Sequence, residues 1–350
     1  MTTVTVSTSQ KYDVLIGNDL LKNIGMHINQ VKGNCKIALI SDSNVWPIYG
    51  ITVKDSLQSS GFEVISFTFT AGEASKNTKT YFDIVNFLAE NHITRSDALI
   101  ALGGGVVGDI TGFAAATFLR GISYVQIPTT LLSMVDSSVG GKTAIDLPTG
   151  KNLIGAFCQP KLVLCDCSAL STLPDSYFFD GCAEVIKYGV LFDPELFAHL
   201  EEYGPNFDRN YVISRCVALK RDVVEADEFD AGERQKLNLG HTIGHAVEAL
   251  SNFDIPHGNG VAIGMSVVTK AAAAQNICDP YLHSRLLSVL EKFHLPTKTF
   301  FSVDTIISHA LSDKKRSGDF INLIVPRGIG DCFIWKIPIA ELKDFIQHGL

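Results

Sequence analysis

The chain has 350 residues, 46% hydrophobic and 19% charged, with a formal net charge of -8 and a pI near 5.7. That length favours two domains, each able to bury a core, and the composition is globular rather than disordered. A net negative chain argues against a nucleic-acid surface, and no run of about 18 apolar residues lacks a charge or helix breaker, which argues against a membrane span.

From the N-terminus, MTTVTVSTSQ has no basic region followed by an apolar one, so no secretory signal is expected and a cytoplasmic enzyme is. The eight cysteines are scattered through apolar segments, which fits a reducing compartment better than a disulfide framework. CKIALISDSN (35–44) is an apolar run closed by a polar turn, and residues 64–69 alternate apolar and polar. Tyr81, Ile84, Val85 and Leu88 fall at i, i+3, i+4 and i+7, one face of a helix. DALIALGGG (97–105), YVQIP (124–128) and KLVLCD (161–166) add short buried strands, with Cys165 and Cys167 as core residues of the last. Strands separated by helices predict βαβ units and a mainly parallel sheet. Beyond Leu173-Pro174 helical patterns dominate, as in Leu282, Leu286, Leu290 and Phe293, and only 321–326 and 332–336 read as strands. The expected division is an α/β domain over 1–173 and a mostly α-helical one over 174–350.

Within 98–121, Gly103-x-Gly105-x-x-Gly108 follows a strand and opens a helix. Glycines let the backbone approach a diphosphate, and the helix N-terminus offers unpaired N–H groups and a favourable dipole. A plain glycine-rich turn carries the same letters; the strand before and the helix after favour a dinucleotide. The usual acidic residue about 20 positions on is missing, since Arg120-Gly121 stands there. Asp42, ending an earlier strand, is the better ribose candidate, so a dinucleotide fold with different wiring is expected.

Residues 128–157 contain two Gly-Lys steps, Gly141-Lys142 and Gly150-Lys151, with Asn152 adjacent. A P-loop needs glycine where Asp136 stands, so a kinase or GTPase reading is poor. Lysines on glycine-flanked loop turns still meet phosphate oxygens as point charges, and the cluster of Asp136, Lys142, Lys151 and Asn152 predicts a site. Further on, NLGHTIGHAVE (238–248) sets His241 and His245 at i, i+4 on one helix face, which suits a transition metal. His257 follows in DIPHGNG, and Glu184 lies earlier in GCAEVIKYG. One carboxylate and two imidazoles leave an open position, as a catalytic zinc site does. Spacing alone does not choose two of the three histidines.

Together, GGGVVGDITGFAAATFLRG, SSVGGKTAIDLPTGKN, AEVIKYG and NLGHTIGHA, in that order, resemble the 3-dehydroquinate synthase family of the shikimate pathway, from about Asp42 to Lys315. The resemblance implies a Rossmann-like N-terminal domain, an α-helical C-terminal domain that binds metal and substrate, and an active site between them. It implies NAD held by Asp42, Asn44, Glu73, Lys76, Gly104, Gly105, Val106, Asp109, Thr129, Thr130, Lys151 and Thr172. It implies a divalent metal, zinc or cobalt, on Glu184, His241 and His257. His245 is then left for proton transfer, with Asp230 and Lys187 as further catalytic groups. Substrate would meet Arg120, Asp136, Lys142, Asn152, Lys220, Arg234 and Asn238, with one of Lys314 and Lys315. In this family an arginine at the position of Arg120 reaches the phosphate from the neighbouring subunit, which implies a homodimer. The chain departs from the family at Asp230 of DEFDAGER, where Glu is common, at Glu233, where an apolar residue is common, and at Asp180, where some relatives have Asn.

The implied substrate, 3-deoxy-D-arabino-heptulosonate 7-phosphate, must lose phosphate and close a carbocycle on the way to aromatic amino acids. The proton beside the phosphate-bearing carbon is too weakly acidic until the adjacent hydroxyl becomes a ketone, which accounts for NAD in a reaction without net redox change. Hydride then returns, the ring opens and an intramolecular aldol closes the new ring. Lys142, Asn152 and Asn238 suit the phosphate; Lys220 and Arg234 suit the carboxylate. His245 suits a proton shuttle. The rivals are a sugar-phosphate cyclase making 2-deoxy-scyllo-inosose or a valiolone, whose substrates lack the carboxylate, and a metal-dependent polyol dehydrogenase, which would accumulate NADH.

Overall fold

A computed structural model describes residues 1–311, 316–317 and 319–350, without the side chains of 316 and 317. The chain falls into two compact units: Met1–Pro174 with Arg209–Phe229, and Asp175–Asp208 with Asp230–Leu350.

The first unit opens with an antiparallel pair, β1 (Thr2–Ser7) and β2 (Lys11–Gly17). There follow α1 (Ile24–Val31), β3 (Lys36–Asp42), α2 (Ile51–Ser59), β4 (Glu63–Phe69), α3 (Thr78–Glu90), β5 (Ala98–Gly103), α4 (Gly105–Thr117) and β6 (Ser123–Pro128). A two-stranded hairpin, β7 (Lys142–Leu147) with β8 (Gly150–Phe157), precedes β9 (Leu162–Asp166). Seven strands form one sheet in the order β1-β2-β9-β6-β5-β3-β4, and beyond the β1–β2 pair all neighbours run parallel. β5 and β9 are buried along their whole length, as strands covered on both faces must be. Alternation along β3 feeds both layers. Ile37 and Leu39 pack with Ile24, Ile28, Val53 and Leu57 of α1 and α2. Ala38 and Ile40 pack with Ile84, Leu88, Val107 and Ile110 of α3 and α4.

Beyond Pro174 come α5 (Asp175–Phe192), α6 (Pro194–Tyr203), α7 (Arg209–Ala226), α8 (His241–Leu250), α9 (His257–Ala274), α10 (Leu282–Lys292) and α11 (Val303–Ala310). A small antiparallel sheet of β10 (Arg316–Ser317), β11 (Phe320–Gly328) and β12 (Asp331–Pro338) leads into α12 (Ile339–Gly349). α7 clusters with the first unit, where it packs on β1 and β2 and buries Val212, Ile213, Cys216, Val217 and Val224. The chain therefore leaves the first unit near Pro174, returns for α7 and leaves again. Among the described residues no helix is long and apolar enough to cross a membrane.

Candidate active site

In the first unit the chain leaves β3 for the edge strand β4, then returns to β5 on the other side of β3. Ligands bind outside the carboxyl ends of parallel strands at such a reversal. Asp42 ends β3, with Asn44 just beyond; Gly104, Gly105 and Val106 join β5 to α4; and Thr129 and Thr130 follow β6. Glu73 and Lys76 follow β4, and Thr172 follows β9. This edge gathers the nucleotide candidates named from sequence, and it explains the unusual wiring: the acid and the glycines sit on neighbouring strands that are not consecutive in the chain.

The glycines divide into two kinds. A Cβ on Gly103 would come 2.5 Å from Val107 Cγ2, and one on Gly108 would come 2.7 Å from Gln126 Oε1, so both serve the close packing of α4 on the sheet. A Cβ on Gly104 or Gly105 would meet Thr130 Cγ2 or Ser137 Oγ at 3.2 Å. Gly104 caps α4 without a side-chain hydrogen bond, so the first-turn N–H groups are left for another acceptor.

Charges at this edge are paired. Lys76 Nζ lies 2.7 Å from Asp109 and 3.7 Å from Glu73, and Lys151 Nζ lies 3.7 Å from Glu73. Burial lowers the Lys76 pKa, yet Asp109 and Glu73 bring it out above its ordinary value. Asp42 Oδ1 accepts the N–H groups of Asn44 and Val45 at 2.8 and 2.9 Å, which fixes the loop after β3.

The lysine-rich segment, read as a loop from sequence, is instead largely the β7–β8 hairpin, with exposed Lys142 opening β7 and Lys151 within β8. Asp146, not among the site residues expected from the sequence, holds this hairpin. Its N–H donates to the Lys76 carbonyl at 2.8 Å, and its Oδ1 accepts the Asn152 N–H at 2.7 Å. That bond secures Asn152 in a left-handed conformation, φ 55. Lys220 of α7 is buried and donates to Asp136 Oδ1 at 2.9 Å and to the Asp136 carbonyl at 2.5 Å. Arg120 is not gathered with the nucleotide group. It is exposed just past the far end of α4, on the order of 20 Å along the helix from Gly105, and it has a left-handed φ of 68.

In the second unit, α5 carries Glu184 and Lys187, α8 carries His241 and His245, and α9 begins at His257. Glu184 Oε1 lies 3.4 Å from His241 Nε2 and 3.3 Å from His257 Nε2. Glu184 also pairs with Lys187, and both are essentially fully buried. His241 Nδ1 is 3.0 Å from the Leu239 carbonyl, which can only accept, so Nδ1 carries the hydrogen and Nε2 the lone pair. Two donors each about 2.0–2.1 Å from a tetrahedral cation lie about 3.3–3.4 Å apart, the spacing that Glu184 has with each histidine. The residues therefore fit a zinc-class ion. A second group, His245, Glu248 and His257, also places its donor atoms within 4.8 Å of one another.

Glycines bring these helices together. A Cβ on Gly264 of α9 would lie 1.9 Å from the Gly240 carbonyl, just before α8. One on Gly244 would lie 2.8 Å from the Gly260 carbonyl carbon, and one on Gly258 would lie 1.9 Å from the Asp180 carbonyl of α5. Backbone thus touches backbone across α5, α8 and α9, and the side chains beside these contacts converge. Asp180 gains a purpose as well. Its Oδ1 accepts the Asn259 N–H at 3.0 Å, capping α9, whose own cap residue Pro256 makes no side-chain bond.

Electrostatics follow from this convergence. Burial raises the Glu184 pKa, but Lys187 and His241 outweigh it and hold the carboxyl well below its ordinary range. Burial and Lys187 take His241 down to about 4. Burial also lowers His257, but the hydrogen bonds that its ring donates to Glu184 and Glu248 bring it up to about 10. Arg234, 2% exposed, and Asn238 share the short turn of helix Glu233–Asn238 that leads to α8. Asp230 precedes it with a left-handed φ of 59. Lys314 and Lys315 lie outside the described residues.

Comparison with known proteins follows the same lines. Residues 66–180 match the family described as 3-dehydroquinate synthase N-terminal, and residues 181–316 match 3-dehydroquinate synthase C-terminal. A 3-dehydroquinate synthase of Clostridium acetobutylicum is 45% identical over 346 residues, covering 96% of each chain. Among solved structures, a 2-deoxy-scyllo-inosose synthase complexed with carbaglucose-6-phosphate, NAD+ and Co2+ is 25% identical, with a TM-score of 0.90 over 100% of each chain. A 2-epi-5-epi-valiolone synthase of Streptomyces hygroscopicus with NAD+ and Zn2+ bound is 26% identical, with a TM-score of 0.87 over 98% of each.

Proposed function

Because this chain belongs to the 3-dehydroquinate synthase family, we propose that it converts 3-deoxy-D-arabino-heptulosonate 7-phosphate to 3-dehydroquinate and phosphate. The observation that carries the reading is the convergence of the Nε2 atoms of His241 and His257 on the buried carboxylate of Glu184. These three would hold a divalent metal of the zinc class, which would supply Lewis acidity toward a substrate oxygen. The cofactor edge would hold NAD, which would supply a hydride acceptor for a reaction without net redox change.

The chain's own groups do the rest. The N-terminal amides of α4 bind the cofactor's diphosphate, and Asp42 faces its ribose. Glu73, Lys76, Asp109, Thr129, Thr130, Lys151 and Thr172 complete the cofactor edge. Lys142, Asn152 and Asn238 bind the substrate phosphate. Lys220 and Arg234 bind its carboxylate, Arg234 through a planar two-bond fork. Asp136 keeps Lys220 extended until substrate arrives. Lys187 balances the charge of Glu184, His245 moves the hydroxyl proton, and Asp230 stands by as a second proton acceptor. The exposed, left-handed turn of Arg120 supports a reach toward a neighbouring subunit of a cytoplasmic homodimer.

The test is incubation of metal-loaded protein with NAD+ and 3-deoxy-D-arabino-heptulosonate 7-phosphate, following phosphate and NADH together. One phosphate per substrate with no lasting NADH is expected. Phosphate released only from glucose 6-phosphate or sedoheptulose 7-phosphate, which lack the carboxylate, would mean a different cyclase. Accumulating NADH without phosphate would mean a dehydrogenase.

A further inference from the structure

Glu248 has no part in the scheme above, yet it is an acid buried to 4% exposure beside the histidine cluster. Its Oε1 lies 3.0 Å from Nδ1 of His257, while Nε2 of the same ring lies 3.3 Å from Glu184 Oε1. We propose that Glu248 is a positioning residue for the metal: it accepts the Nδ1–H of His257 and so aims the Nε2 lone pair at the cation held with Glu184 and His241. The proposal rests on the reading of Glu184, His241 and His257 as the metal set.

A neutral imidazole has one N–H, and an ionised carboxylate can only accept. Once a cation has displaced the second proton of His257, the hydrogen that remains is on Nδ1, facing Glu248, and the lone pair is on Nε2. His241 repeats the arrangement with the Leu239 carbonyl at 3.0 Å, so both rings turn the same nitrogen toward Glu184. The two anchors differ in strength. A carboxylate makes its histidine the more basic ligand and fixes the ring plane, and such partners typically carry 10–100-fold in metal affinity.

Two further observations favour a positioning role over direct ligation by Glu248. Its 3.0 Å contact with His257 is hydrogen-bond spacing, whereas donors sharing a tetrahedral zinc-class ion sit about 3.3–3.4 Å apart. Space for the carboxylate is also built in: a Cβ on Gly260 would come 3.1 Å from Glu248 Cγ and 3.3 Å from its Oε1.

The experiment compares E248A and E248Q with wild type and H241A. It measures Zn2+ affinity by competition with a chromophoric chelator, the visible spectrum of the Co2+-loaded protein, and melting of the metal-free protein as a fold control. E248A should bind Zn2+ about 10–100-fold more weakly. E248Q, whose amide oxygen still accepts from Nδ1, should lose less, and both should keep the wild-type Co2+ band pattern. Wild-type affinity in E248A, or a Co2+ spectrum altered as in a lost ligand, overturns the proposal. If E248A fails to fold, E248Q decides: affinity equal to wild type overturns the proposal, and a several-fold loss with an unchanged spectrum supports it. A wild-type protein that binds no Zn2+, or an H241A variant that binds it normally, contradicts the metal set itself rather than the role of Glu248.

Discussion

The nucleotide edge of the first unit and the histidine cluster of the second are built by opposite means. At the first, strand ends, a glycine turn and the first amides of α4 meet at one edge of the sheet, with the nearby side chains paired among themselves, Lys76 with Asp109 and Lys220 with Asp136. At the second, side chains from three helices meet around the buried Glu184, and the backbone contributes close contacts at Gly240, Gly244, Gly258 and Gly264. A site made of backbone survives the loss of single side chains. A site made of side chains is lost with one of them, or with the contact that holds its helices.

The largest effect should come from the cluster. His241→Ala or Glu184→Gln should abolish stoichiometric metal binding, measured by elemental analysis. Either should also lower kcat/KM by more than about 100-fold, since an outer-shell partner alone reaches that range. Full metal content in both variants would break the contrast between the two sites.

Next is the packing beneath it. Gly264→Ala places a methyl where a Cβ lies 1.9 Å from the Gly240 carbonyl. Overpacking against backbone should cost at least about 1–3 kcal/mol of stability, read by thermal melting, and metal affinity should fall with it.

A third prediction concerns pH. In the metal-free protein His257 is held protonated, its pKa raised to about 10, because the two carboxylates outweigh burial. A cation must displace that proton, so apparent Zn2+ affinity should rise with pH, by up to about tenfold per unit between pH 7 and 9. An affinity that is flat over that range contradicts the arrangement.

The smallest effect is expected at the first unit. Gly105→Ala brings a Cβ 3.2 Å from Ser137 Oγ, a contact a hydroxyl can yield to. NAD affinity should fall by several-fold, roughly 1 kcal/mol, with little change in melting. An equal loss of stability in Gly105→Ala and Gly264→Ala would erase the distinction between the two glycine sets.

The same contrast explains what the sequence made legible. The strand, glycine turn and helix of 98–117 are contiguous, so their periodicity and turn chemistry can be read directly. Asp42 was reachable because strand ends are recognisable. The β7–β8 hairpin reads as a loop in sequence because its glycines and Pro148 mask a short strand pair. β1 does carry a period-two signal, Val4 and Val6 alternating with Thr3 and Thr5, but it is short and lies beside no motif. Nothing in the helical pattern of α7 says which unit it packs on. For the metal candidates, sequence offered residue types and left three histidines open; the close glycine contacts that draw the helices together depend on partners far away in the chain. Glu248 did leave a trace, at i+7 from His241 on the face that also carries His245, but an acid at that spacing reads equally as solvated surface.

The most direct test is anomalous diffraction at the zinc edge from crystals grown with Zn2+ and NAD+. One dominant peak is expected about 2.0–2.1 Å from a Glu184 oxygen and from Nε2 of both His241 and His257. A peak held instead by His245 and Glu248 with Glu184 uncoordinated, or no peak in fully zinc-loaded protein, would contradict it.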